Sequence, residues 1–118
     1  MKLIIICSPY NGNILQNTYK AQEYCKYVYR QGHIPFAPHL FFPRFLNEHN
    51  RVEREAGIKL GIEILKRADE LWIFGDTVTE GMKQEIEAAK KFNKTIKYFI
   101  EEVNENGTKI TFSGFKRP

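Results

Sequence analysis

An apolar run, a short polar break and an amphipathic helix follow one another across residues 69–85, and this succession narrows the fold more than any other stretch. Leu71 to Phe74, closed by Gly75, has the length and composition of a strand buried on both faces. Glu80 to Phe92 repeats with the period of a helix. The join is therefore a strand-to-helix turn, the place where open α/β sheets bind ligands.

The same grammar recurs along the chain. Leu3 to Cys7 is a continuous apolar strand, and Ser8-Pro9-Tyr10-Asn11-Gly12-Asn13 is a turn-rich loop. Ala21, Tyr24, Cys25 and Val28 keep helical spacing between Ile14 and Gln31, where Gly32 supplies the stop. His33 to Ala37 is a short second strand, so this unit requires a right-handed crossover in a parallel sheet. Arg51 to Ala68 reads as a helix and Thr95 to Ile100 as a fourth strand. The Asn106-Gly107 pair favours a hairpin, which makes Lys109 to Phe112 an antiparallel edge strand. With 118 residues the chain is long enough for one real core and too short for two, so 1–118 is expected to be a single domain.

Composition removes several function classes. No stretch approaches the ~20 apolar residues of a membrane span, and the opening MKLIIICSPY is a strand running into a turn, not a signal peptide. A cytosolic location and no membrane partner are expected. Cys7 and Cys25 make neither a disulfide framework nor a metal site and read as buried thiols; His33, His39 and His49 are too scattered for zinc. No metal and no cofactor are expected. A net charge of +4 permits an anionic ligand, but the basic residues stand singly apart from Lys116-Arg117. That is the pattern of a solvated surface, and no nucleic-acid partner is expected.

Glu85 is the residue that fits no surface pattern. Met82, Ile86 and Ala89 mark the core face of its helix, while Lys83, Glu87 and Lys91 form an exposed row of alternating charge. Glu85 sits on the shoulder of the apolar stripe, with Ala88 and Ala89 ahead of it and no cation along the helix. Helical side chains lean toward the N-terminus, so Glu85 reaches back over Gly81, where the missing side chain leaves an open spot. Two readings follow: a carboxylate aimed into a small hole, or an acid favoured by the helix dipole and paired with a distant Lys or Arg.

Two further segments look unfinished. Pro38 to Asn50 carries Leu40, Phe41, Phe42, Phe45 and Leu46, too apolar to lie free in water, so it is expected to cover a ligand or a neighbouring subunit. Helix 51–68 has two apolar stripes, Gly57, Leu60, Gly61, Ile64 and Ala68 on one side and Ile58, Ile62 and Leu65 on the other. One stripe can pack on the sheet while the second needs a partner. The same helix in a second chain would fill it, so a homo-oligomer through helix 51–68 and the 38–50 loop is expected. For His39 and Arg44 in that loop, a surface or intersubunit role is favoured over contact with ligand.

SPY at 8–10, PHL at 38–40, RADELWIFG at 67–75 and TEGMKQEIEAA at 79–89 stand in an order that resembles the nucleoside 2-deoxyribosyltransferase-like superfamily. More narrowly, they resemble its small bacterial and phage branch known as DUF4406-like. The likeness runs over residues 1–99 and leaves 100–118 as a C-terminal hairpin extension. It implies a flavodoxin-like Rossmannoid sheet in a three-layer sandwich, oligomeric assembly, and a nucleoside or nucleotide site at the C-terminal strand edges. It also implies that Glu85 is the nucleophile, that Thr79 contacts sugar or phosphate, and that Ser8 and Tyr10 shape the sugar pocket. Ser8 and Thr79 equally suit a turn and a helix cap, and Tyr10 suits plain packing.

The chemistry implied is N-glycosidic. An ionised Glu85 attacks C1′ of a deoxynucleoside and expels the base, and water or a second base resolves the ester. A helix N-terminus is expected to favour the charged form, Gly81 to leave room for the sugar, and the amides of Thr79 to Met82, with Ser8, to bind a 5′-phosphate. One departure stands out: where many relatives carry an Asp in the preceding helix, this chain has Gly61. Asp76 is the nearest acidic substitute, although it also suits a turn, and Asp69 reads as structural. The alternative to transfer or hydrolysis is a non-catalytic module that captures a ribose-containing metabolite.

Overall fold

The computed structural model describes residues 1–103 and 109–115, with side chains through residue 101. The elements run β1 (Leu3–Cys7), α1 (Ile14–Arg30), β2 (Ile34–Phe36), α2 (Pro38–Phe41) and a 3-10 turn (Phe42–Arg44), then α3 (Arg51–Arg67), β3 (Glu70–Phe74), α4 (Glu80–Lys91), β4 (Thr95–Val103) and β5 (Lys109–Phe115). The strands lie in the order β2-β1-β3-β4-β5. β1 to β4 are mutually parallel, giving the flavodoxin-like arrangement, and β5 pairs antiparallel with β4. Asn106-Gly107 and Lys116-Arg117 lie outside the described residues.

Period-two alternation sorts the central strands into two cores. Ile4, Ile6, Trp72, Phe74 and Phe99 face α1 and meet Tyr24 and Val28. Ile5, Cys7, Leu71 and Ile73 face the other way and meet Leu65 of α3 with Met82, Ile86 and Ala89 of α4. Because both faces are covered, β1 and β3 must be apolar throughout, as their sequences are. Each large side chain fully buried this way contributes about 1.5–3 kcal/mol. Tyr24, Phe74 and Phe99 stack in sequence at 4.5 and 5.0 Å, locking α1 across the sheet.

Local signals set the helix limits. Asn13 caps α1 by accepting from the Gln16 amide, and Gly32 at φ +87° ends the turn beyond it. Asn50 caps α3 in the same way through the Glu53 amide. Asp69 is structural, its Oδ2 accepting from the Leu3 amide at 2.7 Å. Cys7 is buried, but Cys25 is only half-buried, because it sits beside the core stripe of α1 and not within it. β2 is shorter than the residues 33–37 expected of it, and β4 is longer, reaching Val103 where β5 pairs with it.

The 38–50 connection is not a bare loop. Pro38 at the first helical position starts α2, and Phe36, Phe41, Phe42 and Phe45 form an aromatic knot with centroids 5.4–6.1 Å apart. Phe42 is buried, while Phe41 and Phe45 remain 49% and 57% exposed. The stripes of α3 divide along its length instead of by side. Leu65 and Ala68 enter the core beneath the sheet, and Gly57, Ile58, Gly61 and Ile62 border a cavity. That cavity takes up apolar residues that had seemed to require a second chain.

Candidate active site

β1 and β3 are neighbours whose following helices lie on opposite faces of the sheet, which opens a crevice at their C-terminal ends. A cavity of about 270 Å³ lies there on the side of α3 and α4. The loop after β1 supplies Tyr10 and Asn11, the aromatic knot supplies Phe42 and Pro43, and the start of α4 supplies Thr79, Gly81, Met82 and Glu85. One half of the lining is apolar and the other carries hydrogen-bonding groups, the usual character of a small-molecule site.

The start of α4 is built by Thr79. Its Oγ1 accepts from the Met82 amide at 3.3 Å, and its own amide meets Met82 Sδ at 3.4 Å. The Met82 amide is therefore already taken and is not open to a phosphate, as had been expected of it. Met82 itself is buried with its side chain in the core. At Gly81 an added Cβ would meet only Thr79 Oγ1, at 3.9 Å, so the space above this turn is open. Gly61, across the cavity on α3, has nothing within 4 Å of such a Cβ.

Glu85 opens onto this space. Its Oε2 is buried and has no hydrogen-bond partner among the described residues. Burial pushes its carboxyl up to about 8, so the group rests protonated at neutral pH. This corrects the expectation of a carboxylate kept charged by the helix N-terminus. Glu85 lies beyond the first turn of α4, where the dipole has faded, and among the described residues no cation offsets its desolvation. Cys7 is close enough to feel it: burial first, and then the Glu85 charge, hold the thiol well above its ordinary range, and Sγ meets the Met82 carbonyl at 3.9 Å. Cys7 is thus an inert core thiol and not a nucleophile.

The remaining expected residues separate. Tyr10 borders the cavity and stacks on His39 at 4.7 Å with an 18° interplanar angle. His39, expected at the surface or between subunits, instead borders the same cavity. Only the PHL tripeptide marked it, and its placement depends on the short helix that Pro38 starts. Arg44 is exposed and turns its Nε to the Leu40 carbonyl at 3.3 Å. Ser8 is buried at 2% exposure and does not border the cavity. Asp76 does not border this cavity. It lines a second one of about 280 Å³ on the α1 side, with Lys20, Tyr24 and Thr77, and Thr79 stands between the two. Sequence reasoning also missed Arg54, Glu48 and Gln84, which border the main cavity from α3, the segment before it and α4. Each of these sits in a charged or polar run that a solvated surface would explain equally well.

Among the described residues no group of His, Cys, Asp and Glu is arranged to hold a metal ion, and no helix is long and apolar enough to cross a membrane. A structure of the 2-deoxyribosyltransferase from Bacillus psychrosaccharolyticus is similar, with a TM-score of 0.65 over 90% of this chain and 82% of that one. At 23% identity the likeness is one of fold. No curated protein matches the sequence significantly. The family that does match, over residues 2–99, is a domain of unknown function, DUF7768. Those residues carry β1 to β3, α4 and every part of the cavity, and the chain belongs to the DUF7768 family.

Proposed function

We propose that the protein performs N-glycosidic chemistry on a nucleoside or deoxynucleotide, with Glu85 as the nucleophile. The observation that carries this reading is an unpartnered buried carboxyl opening on a cavity at the crevice between β1 and β3. The fold held in common with a 2-deoxyribosyltransferase supports the reaction class. Glu85 Oε attacks C1′ and the bond from C1′ to the base nitrogen breaks, the base leaving with the electron pair and taking up a proton. The resulting glycosyl ester is displaced by water, giving hydrolysis, or by a second base, giving transfer; two inversions leave net retention. Glu85 must shed its proton first, so the rate is expected to climb with pH through about 8.

Gly81 leaves clearance for the sugar, and Tyr10, Thr79 and Met82 bound it, with Ser8 acting behind them. Asp76, on the second cavity, is better placed for a group that extends past Thr79 than for C1′. The finer placement in a DUF4406-like branch belongs to this proposal, as does a homo-oligomer. Exposed Phe41, Phe45, Val52 and Leu60 support an interface through the 38–50 segment and α3. A second reading, capture of a ribose-containing metabolite without turnover, is favoured by Gly61 and by the protonated Glu85. A neutral carboxyl donates a hydrogen bond and does not attack.

The test is incubation with deoxynucleosides and their 5′-monophosphates, with and without acceptor bases, followed by chromatography of free base. Base release that Glu85→Gln abolishes supports the chemistry. Binding without release, retained by Glu85→Gln, supports capture. Neither binding nor release with any of these compounds removes both readings.

A further inference from the structure

The second cavity, on the α1 side of the sheet, has no part in the attack by Glu85. It is as roomy as the main one, about 280 against about 270 Å³, and Thr79 borders both. Its lining brings two opposite charges together, Lys20 from α1 and Asp76 from the turn after β3. Among the described residues Lys20 Nζ has no ion pair or hydrogen bond, and the Asp76 carboxylate accepts only from the Thr77 hydroxyl, at 3.3 Å. The two charges share a cavity without pairing with each other. Asn17 is anchored through Nδ2 to the Tyr10 and Asn11 carbonyls at 3.0 and 3.2 Å, which leaves its Oδ1 as an acceptor. Thr79 Oγ1 accepts from the Met82 amide, so its hydroxyl proton is left to donate.

The charge balance selects the occupant. A phosphate would gain Lys20 but face Asp76, with Glu101 close by, where it accepts from the Tyr24 hydroxyl at 3.3 Å. Burial first, then the charges of Glu101 and Asp76, raise that hydroxyl to about 13, so both carboxylates act on this corner of the cavity. One cation against two carboxylates disfavours an anion and suits a group that carries both signs. With C1′ at Glu85 and the base against the apolar wall of Phe42, Ile58 and Ile62, the part of a nucleoside left to reach Thr79 is the 5′ end of its sugar. We propose that the second cavity is a subsite for a zwitterionic tail on the 5′ carbon of the nucleoside, with Lys20 taking its carboxylate and Asp76 its ammonium group. Asn17 Oδ1 gives the ammonium group a second acceptor, and Thr79 marks the passage from sugar to tail. The inference rests on the nucleoside reading above and names a substrate class for it, a 5′-substituted nucleoside that ends in an amino acid.

The test compares calorimetric affinities at low ionic strength for 2′-deoxyadenosine and thymidine, each as the parent, the 5′-methylthioether, the 5′-homocysteinyl thioether and the 5′-monophosphate. The homocysteinyl form is expected to bind roughly tenfold tighter than the methylthioether, the gain of two partly exposed charge pairs. Lys20→Met and Asp76→Asn should each cut that preference to about threefold or less. Added salt should shrink it in the wild type, a readout that needs no variant to fold. Lys20→Met should weaken a tail bearing only the carboxylate, and Asp76→Asn one bearing only the ammonium group. A homocysteinyl form that binds no tighter than the methylthioether overturns the assignment. So does a preference that salt and both substitutions leave intact, or a 5′-monophosphate that gains as much as the tail, since Lys20 alone would then suffice. In each of these cases the parent nucleosides still bind and the nucleoside reading stands. If no compound of the set binds, both fall.

Discussion

Two carboxyls lie at opposite ends of the same sheet and behave in opposite ways. Glu70 opens β3 at the N-terminal edge, nearly wholly buried, and receives Lys2 Nζ at 2.7 Å, Trp72 Nε1 at 2.8 Å and Lys97 Nζ at 3.5 Å. Burial alone would raise it, but the Lys2 and Trp72 hydrogen bonds and the two lysine charges outweigh that and hold it below the usual carboxylate range. Glu85, at the C-terminal edge, has burial and nothing to offset it. The difference lies in their partners. An acid that serves structure is surrounded by donors, while an acid left without them is available to a ligand.

The sharpest way to break this contrast is Glu85→Gln, which should lower base release by a factor of at least about 10³ if the carboxylate attacks. Residual release within tenfold of wild type would remove Glu85 from the chemistry. Next in size, Glu70→Ala strands Lys97 over Trp72 and leaves the indole N–H unpaired, for a loss of roughly 3 kcal/mol by urea unfolding at pH 7. A change under about 0.5 kcal/mol would mean that the cluster at this edge is ornamental.

Stability against pH sharpens the comparison, because the two acids give slopes of opposite sign. Glu70 is depressed in the folded state, so its contribution is present above the unfolded value near 4.5 and is lost as pH falls through its lower folded one. Glu85 is raised, so the folded state holds a proton that the unfolded chain releases, and stability falls as pH climbs from about 4.5 to about 8. His39, lowered to about 4, adds a loss as pH drops from about 6.5 toward 4. Glu85→Gln should therefore raise the Tm at pH 8 and leave it nearly unchanged at pH 4. Equal Tm shifts at both values would contradict the orphaned acid. The smallest effect is expected of Gly61→Asp, which has room at its Cβ and should alter stability by less than about 0.5 kcal/mol. Its like charge should move the Glu85 inflection in the pH profile upward by less than about one unit.

The apolar runs made β1, β3 and both layers of helix legible, because a strand buried on two faces has no polar face to blur its pattern. Glu85 was legible for a related reason: every neighbour on α4 had a core or surface explanation and it had none. Its protonation was not, since burial there comes from α3 and the 38–46 segment, distant in sequence and folded over it only in three dimensions. The Glu70 cluster escaped notice for the same cause, as Lys2 reaches it from just before β1 and Lys97 from β4. His39 was misplaced because a Pro-led turn of four residues gives too short a pattern for periodicity to act on.

β2 has only three residues, and its middle one is Pro35, opposite Ile4. Such a rung offers a newcomer few donors, and one of them is missing altogether. The flank of the molecule beyond β2 is thus a poor template for stacking copies strand upon strand, a safeguard against fibrous growth that comes from the chain's own spelling.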